Sequence, residues 1–363
     1  MVYLELASAA LLTGASVVLA FPFGGTLESA ARLRFGSELE LLDIPEISMN
    51  NGRKSILDLF KFAFSWIFYM RFWRHFSRSQ LWYINGGRVL LPMMLVSLFC
   101  RTKVIYHAHL SHSDGGNTAW RLERYLLRVF SKFRMIDTVV CPSVFIQTNF
   151  FAYSNAFSER LNCIVLQNCL GSSFSGLPFR NRFLLGDKKV KRVGLFGKVT
   201  HVKGQELVCE TACRFPDISF YCIGGTLPGE ESYVAELKSK APSNVIFIDE
   251  VTNVAETVDS LGIQVCLVPS KFDESFGLAA IEGMACSCVT LASHRGGLAE
   301  IAKHTGMLTF YNENNYVEKL EYICGLEGHS LASLAKDQYD KTMEIYASLR
   351  FLTQATELFD SSF

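Results

Sequence analysis

The chain has few charges, few prolines and no excess charge of either sign. Charged residues make up 19% of its 363 positions, and Lys+Arg and Asp+Glu number 35 each. A dedicated nucleic-acid binder carries a basic surplus, so that class is set aside. Nine prolines and the absence of any biased run exclude a proline-rich or low-complexity chain. The 11 cysteines are odd in number and include no Cys-x-x-Cys pair. Reduced, mostly buried thiols fit them better than a secreted disulfide framework or a zinc site. No Gly-x-Gly-x-x-Gly is present, which argues against a nicotinamide-dependent oxidoreductase. No Asp-x-Asp is present either, so no metal held by paired aspartates is expected.

Long hydrophobic runs are scarce as well. The opening MVYLELASAALLTGASVVLAF is apolar, but Glu5 interrupts it, Gly14 divides it, and no Lys or Arg precedes Arg32. A signal peptide needs a basic start, and a span needs about 20 unbroken apolar residues. Neither is expected.

What is present is a globular composition, 49% hydrophobic, at a length of about two domains of about 150 residues each. Short β-branched runs alternate with helical stretches. The first series of strands is read at 16–21, 81–84, 104–107, 138–141 and 163–166, with helices at 2–13, 56–76, 90–99, 119–132 and 143–151. After a polar link at 171–191 the pattern restarts. The second series is read at 193–196, 218–223, 245–248, 265–268 and 289–292, with helices at 204–213, 230–240, 254–261, 277–285 and 298–303. Such alternation means parallel sheets with crossover helices. We therefore expect an α/β protein of two Rossmann-like domains, 1–175 and 176–363, with the last helices packing outside the second.

Two segments carry chemistry. In the first, Glu274 and Glu282 flank Ser275, Phe276, Gly277 and Leu278, where a helix should start after the buried strand 265–268. Unpaired N–H groups at a helix start attract anions. Carboxylates before and within the helix can take hydroxyls on either side of a bound phosphate. In the second, a strand ends at Gly197-Lys198, and Lys203-Gly204 opens a helix. Two lysines at the C-terminal edge of a parallel strand can clamp a diphosphate. Either segment alone also fits ordinary solvated side chains. Together on one sheet edge they suit a nucleotide-sugar.

Over residues 190–310 the chain resembles the C-terminal domain of glycosyltransferase family 4, of the GT-B superfamily. The resemblance rests on Gly197-Lys198…Lys203-Gly204, on Glu274-Ser275-Phe276-Gly277-Leu278…Glu282, on Gly283-Met284-Ala285-Cys286, and on Gly296-Gly297-Leu298-Ala299-Glu300. It implies that Lys198 and Lys203 neutralise the donor diphosphate. It also implies that amides around Phe276, Gly277 and Leu278 touch sugar and phosphates, that Glu274 faces the sugar, and that Glu282 faces the ribose. The family has arginine where Lys198 stands; lysine keeps the charge but loses the bidentate fork.

The N-terminal half resembles the family more loosely. In KVIYHAHLSH, residues 103–112, the resemblance implies a histidine near the transferred sugar, His109 first and His107 second. A metal site on His107, His109 and His112 lacks a partner carboxylate, so no metal is expected. The chain departs from the family in that Met1 falls where the first helix begins, so the usual first strand and Gly-rich loop are not seen.

Residues 53–103 hold nine basic residues and one acid, with dense aromatics. Leu59, Phe62, Trp66, Met70 and Trp73 share one helical face. The opposite side fits either anionic headgroups or a second packed surface. The implied activity is retaining, metal-independent and cofactor-free. It moves a sugar from a UDP- or GDP-sugar to a glycan or lipid-linked acceptor in lipopolysaccharide, capsule or exopolysaccharide synthesis. The expected place is the cytoplasm or the inner membrane face. The alternative is a non-catalytic GT-B interaction subunit or an inactive relative.

Overall fold

The computed structural model describes residues 2–22, 26–44, 67, 69–85, 89–100, 102–109, 125, 127–153, 161–183 and 190–362. They divide into two units, Met1–Gln167 with Leu349–Phe363, and Asn168–Ser348.

In the second unit six strands form one parallel sheet, in the order β12-β11-β10-β7-β8-β9. These are β7 (Arg192–Phe196), β8 (Ser219–Ile223), β9 (Val245–Ile248), β10 (Val265–Val268), β11 (Val289–Ser293) and β12 (Leu308–Phe310). Val265 pairs with Val193 on one side and Val289 on the other. All residues of β10 and β11 are buried, as expected of central parallel strands covered on both faces. The two faces feed two cores. Val265 and Leu267 of β10 join Leu207 and Val208 of helix Gln205–Ala212 and Tyr316 and Leu320 of helix Glu313–Gly325. Cys266 and Val268 join Ala280, Ile281 and Met284 of helix Leu278–Ala285 and Leu298 and Ile301 of helix Gly296–Thr305.

The first unit contains a parallel four-stranded sheet, β3-β4-β5-β6, from Leu81–Asn85, Lys103–His107, Thr138–Cys141 and Asn162–Val165. A separate parallel pair joins β1 (Val18–Phe21) to β2 (Glu40–Asp43). The pair packs with helices Val2–Leu12 and Thr26–Phe35 through Leu4, Ala7, Ala31 and Phe35.

All ten expected strands are present, each boundary within two residues; β2 and β12 were not foreseen. The units divide at 167/168 rather than 175/176. Leu170 and Phe174 already pack in the second unit's core, and Leu170 N–H bonds Tyr346 O at 2.9 Å. The last helix, Ser348–Asp360, groups with the first unit rather than the second from Leu349 on. Phe359 sits 5.9 Å from the Tyr83 ring, and Lys103 Nζ donates to Ser362 O at 2.7 Å.

The expected helix at 56–76 lies largely outside the described residues. Its described end is a 3-10 turn, Met70–Phe72, followed by helix Trp73–Arg78, with Tyr69 and Phe76 in the core. All 11 cysteines are free. No described helix is long and apolar enough to cross a membrane.

Candidate functional site

In the second unit the candidate residues gather on the loops that follow β7 and β10, at one edge of the sheet. The loop after β7 is seated on its neighbour. Gly197 N–H bonds Ile223 O at 3.0 Å, and Val199 N–H bonds Gly225 O at 3.0 Å. A Cβ on Gly224 would lie 2.1 Å from the Gly197 carbonyl oxygen. This packing leaves Lys198 exposed at the edge. The loop closes at Gly204, whose φ is +78° and whose Cβ would lie 2.0 Å from Pro269 O. Lys-Gly at 203–204 is therefore fixed by backbone: only glycine fits the left-handed turn against the end of β10. Gln205, fully buried, donates from Nε2 to Lys198 O at 3.0 Å and ties the two ends of the loop together.

Glu274 is buried, yet it sits in a loop. Its Oε1 accepts from Lys203 Nζ at 2.6 Å and from Ser270 Oγ at 2.5 Å. Lys203 also lies over the Phe272 ring at 5.1 Å. Among the described residues no hydrogen bond reaches Oε2 of Glu274. The Gly296-Gly297 turn explains the depth. Gly297 N–H bonds Glu274 O at 2.7 Å, and a Cβ on Gly296 would meet that oxygen at 2.3 Å.

The helix Leu278–Ala285 starts at Gly277, φ +120°, with no side-chain cap. Its first-turn amides therefore suit an anion. Phe276 is buried with its ring against Tyr346 at 5.6 Å, so only its backbone can serve a ligand. Leu278 is exposed and Ser275 half-buried. Glu282 is half-buried about one turn along, and burial pushes its carboxyl up to about 7. It can hold or release a proton near neutrality.

In the first unit His107 and His109 stack, with ring centroids 4.1 Å apart. His107 is fully buried, and its Nδ1 bonds Tyr83 OH at 2.9 Å. Burial, and then the neighbouring His109, hold it well below the usual histidine range. His109 lies two residues beyond β4, and its Nε2 bonds Asn85 Oδ1. Burial lowers it to about 4, so it is a neutral imidazole at physiological pH. With Nε2 donating to the amide oxygen, Nδ1 keeps a lone pair. Its outer side is edged by Tyr3 at 6.2 Å. His112 lies outside the described residues, and among those described no group of three metal-ligating side chains occurs.

The structure thus brings Lys203 and Glu274 into direct contact and places Lys198 in the same loop as Lys203. Ser270, Gln205, Asn85 and Tyr83 were not foreseen. Ser270 could have been found from its place two residues after a buried strand and four residues before Glu274. The others are joined only by the fold.

Residues 190–324 match the family model described as Glycosyl transferases group 1. The chain is 25% identical over 247 residues to the lipopolysaccharide core biosynthesis mannosyltransferase LpsB of Rhizobium meliloti. That match covers 63% of this chain and 64% of the relative, just under two thirds of its length. Among solved structures, Anabaena HepE in complex with UDP and glucose superposes with a TM-score of 0.77 at 18% identity, covering 98% of this chain and 95% of the other. Sucrose-phosphate synthase from Thermosynechococcus elongatus superposes with a TM-score of 0.76 at 15% identity, covering 99% and 92%. The chain accordingly has the GT-B fold, and the segment that carries Lys198, Lys203, Glu274 and Glu282 is the one that matches Glycosyl transferases group 1.

Proposed function

We propose that the protein is a retaining glycosyltransferase of family 4. It transfers a sugar from a UDP- or GDP-sugar to a glycan or lipid-linked acceptor in surface polysaccharide synthesis. The observation that carries this reading is the half-used Glu274 carboxylate. One oxygen is held by Lys203 and Ser270, while the other has no partner among the described residues, beside an uncapped helix start. A buried carboxylate with spare lone pairs accepts sugar hydroxyls. The likeness to LpsB, a mannosyltransferase of the lipopolysaccharide core, and to HepE, which was solved with UDP and glucose, supports donor class and pathway.

In this reading Lys198, Lys203 and the amides of Gly277–Ala279 stabilise the departing diphosphate, which is electrostatic catalysis. No metal or cofactor is required, because lysines and amides supply the positive charge. Ionised Glu282 takes the ribose hydroxyls. The bond from the anomeric carbon to the phosphate oxygen breaks, and the acceptor oxygen bonds to that carbon on the same face. The acceptor proton passes to the departing phosphate oxygen. Neutral His109 accepts a hydrogen bond at Nδ1 from a hydroxyl of the transferred sugar.

Calorimetry with UDP, GDP and ADP tests the donor site, with Glu282→Ala beside the wild type. Tight binding of one nucleotide, lost in the variant, is expected, and the anomeric configuration of the product by NMR then tests retention. A folded chain that binds none of the three would favour the alternative, a non-catalytic GT-B interaction subunit. One observation leans that way: among the described residues, β1–β2 and β3–β6 form separate sheets.

A further inference from the structure

Helices that cross over a parallel sheet end at the edge where the next strand begins. In the first unit this edge collects the turns before β3, β4 and β5. Thr102 Oγ1 donates to Ser79 O at 3.2 Å, Lys103 N–H to Gln80 O at 3.2 Å, and Val104 N–H to Asp137 Oδ2 at 2.7 Å, so the three turns lie side by side. Each turn carries exposed side chains. Arg74 and Arg78 come before β3, Leu98 and Phe99 before β4, and Lys132, Phe133 and Arg134 before β5. Leu98, Phe99 and Phe133 are 64%, 60% and 69% exposed. The Trp73 ring packs edge-on to Phe99 at 6.4 Å, which joins the first turn to the second.

None of Arg74, Arg78, Lys132 and Arg134 has an ion pair among the described residues. The carboxylates close by are engaged: Asp137 accepts the Val104 N–H, and Glu40 faces His75 Nδ1 at 3.5 Å. The backbone at the third turn gives a second, independent sign. Met135 N–H bonds Phe130 O at 2.9 Å, and Arg134 N–H bonds Ser131 O at 3.0 Å. That pair of bonds ends a helix on a left-handed residue, usually glycine. Arg134 occupies the position with φ +52°. The turn forgoes the residue that backbone sterics favour and keeps a cation beside an exposed Phe133.

We propose that this edge of the first unit docks on an anionic lipid bilayer. Leu98, Phe99 and Phe133 enter the interface, and Arg74, Arg78, Lys132 and Arg134 meet headgroup phosphates. The inference narrows the broad 53–103 surface to two of its turns and adds 132–134. It stands apart from the donor reading, because lipid binding is measured without a nucleotide.

The test is co-sedimentation of the full chain with vesicles of phosphatidylcholine alone and of phosphatidylcholine mixed with phosphatidylglycerol. Binding to the mixed vesicles only, weakening as salt rises, is expected. Arg78→Gln/Arg134→Gln should weaken it about fivefold per cation removed. Phe99→Ser/Phe133→Ser should abolish sedimentation while the thermal unfolding midpoint stays near wild type. Folded wild type that remains in the supernatant with the anionic vesicles would overturn the proposal. So would either double variant binding as well as wild type. A concentration-dependent dimer dissolved by Phe99→Ser/Phe133→Ser would also overturn it and assign the face to a second copy of the chain.

Discussion

Each unit buries one carboxylate against a cation, and the two pairs differ in a way that separates architecture from chemistry. Glu5, 2% exposed, is gripped by both terminal nitrogens of Arg34 at 2.7 and 2.8 Å, one on each oxygen. The pair joins helix Val2–Leu12 to helix Thr26–Phe35. Glu274, 8% exposed, gives one oxygen to Lys203 and Ser270 and keeps the other. A bidentate guanidinium satisfies a carboxylate and fixes its geometry. A lysine is a point charge that leaves room for another partner. The first arrangement is closed and holds a fold together; the second is open and suits a ligand.

Breaking the closed pair should have the largest effect. Arg34→Met leaves Glu5 buried and unpaired, at a cost of about 3 kcal/mol or more. Denaturant unfolding followed by tryptophan fluorescence reads it directly, since all four tryptophans lie in the first unit. Lys203→Met should cost less, about 1–2 kcal/mol, because the Lys203 side chain is 31% exposed and Ser270 remains. Its main loss should be nucleotide affinity, at least tenfold in calorimetry. The contrast fails if Lys203→Met costs as much stability as Arg34→Met and leaves nucleotide affinity intact.

Next in size is Gly204→Ala. The new methyl would meet Pro269 O at 2.0 Å in a left-handed turn, so both overpacking and backbone strain apply, together about 3 kcal/mol. The effect belongs to the second unit, so calorimetric unfolding should shift while the tryptophan transition of the first unit stays in place. A wild-type nucleotide affinity in this variant would show that the Lys203-Gly204 turn does not shape the site.

Much of this division was legible in the sequence. The buried run 265–268 became a strand with the same ends, because a strand covered on both faces must be apolar throughout. The loops of the second unit were legible because their glycines answer to backbone contacts. Gly204, Gly296 and Gly297, all quoted by the motif, leave no room for a Cβ against backbone, whereas Gly224, equally closed, stands outside the motif. Strand Glu40–Asp43 escaped because two leucines between acids carry no periodicity, and Leu308–Phe310 because three residues are too few. Glu5 and Arg34 stand 29 residues apart, and Gln205 acts on the carbonyl of Lys198 rather than on a side chain. Neither relation leaves a mark in composition or spacing. The two histidines 107 and 109 share one strand face in the sequence, with His109 ranked first for its place nearer the strand end. The fold separates them, giving His107 to Tyr83 in the core and His109 to Asn85 at the strand end.

The units should also respond to pH with opposite sign. His107 and His109 are lowered by burial, so between about pH 4 and 6.5 the unfolded chain binds protons that the folded one refuses. The first unit then loses stability as pH falls, by up to about 1.4 kcal/mol per pH unit for each proton. Glu282 is raised to about 7, so between its ordinary value of 4.5 and 7 the folded state keeps a proton that the unfolded chain gives up. The second unit loses stability as pH rises through that window. Glu282→Gln should therefore be increasingly more stable than wild type from pH 5 to pH 8, reaching about 1–3 kcal/mol by calorimetry. Nucleotide affinity of the wild type should rise across pH 7, as ionised Glu282 becomes the better acceptor. A flat Glu282→Gln difference would mean that the carboxyl is solvated.

The smallest effect tests the surfaces. In the second unit three exposed lysines are paired along helices: Lys240 with Glu236, Lys336 with Asp340, and Lys341 with Asp337, at 2.6–2.7 Å. In the first unit exposed Arg32 is paired in the same way with Glu28 at 2.8 Å, whereas Arg74, Arg78, Lys132 and Arg134 have no ion pair among the described residues. Exposed i,i+4 pairs contribute only about 0.3–0.5 kcal/mol, because water solvates both partners nearly as well apart. Lys336→Ala and Lys341→Ala should each shift stability by less than about 0.5 kcal/mol, and the shift should vanish in high salt. Such a result would mean that pairing costs the second unit nothing and gains it little. The bare state of these four cations then cannot be a demand of stability, since carboxylate partners at i±4 are tolerated on the same unit, as Arg32 with Glu28 shows. A loss above about 1 kcal/mol per lysine would reverse that inference, and the bare arginines of the first unit would have to be explained by folding rather than by what they meet.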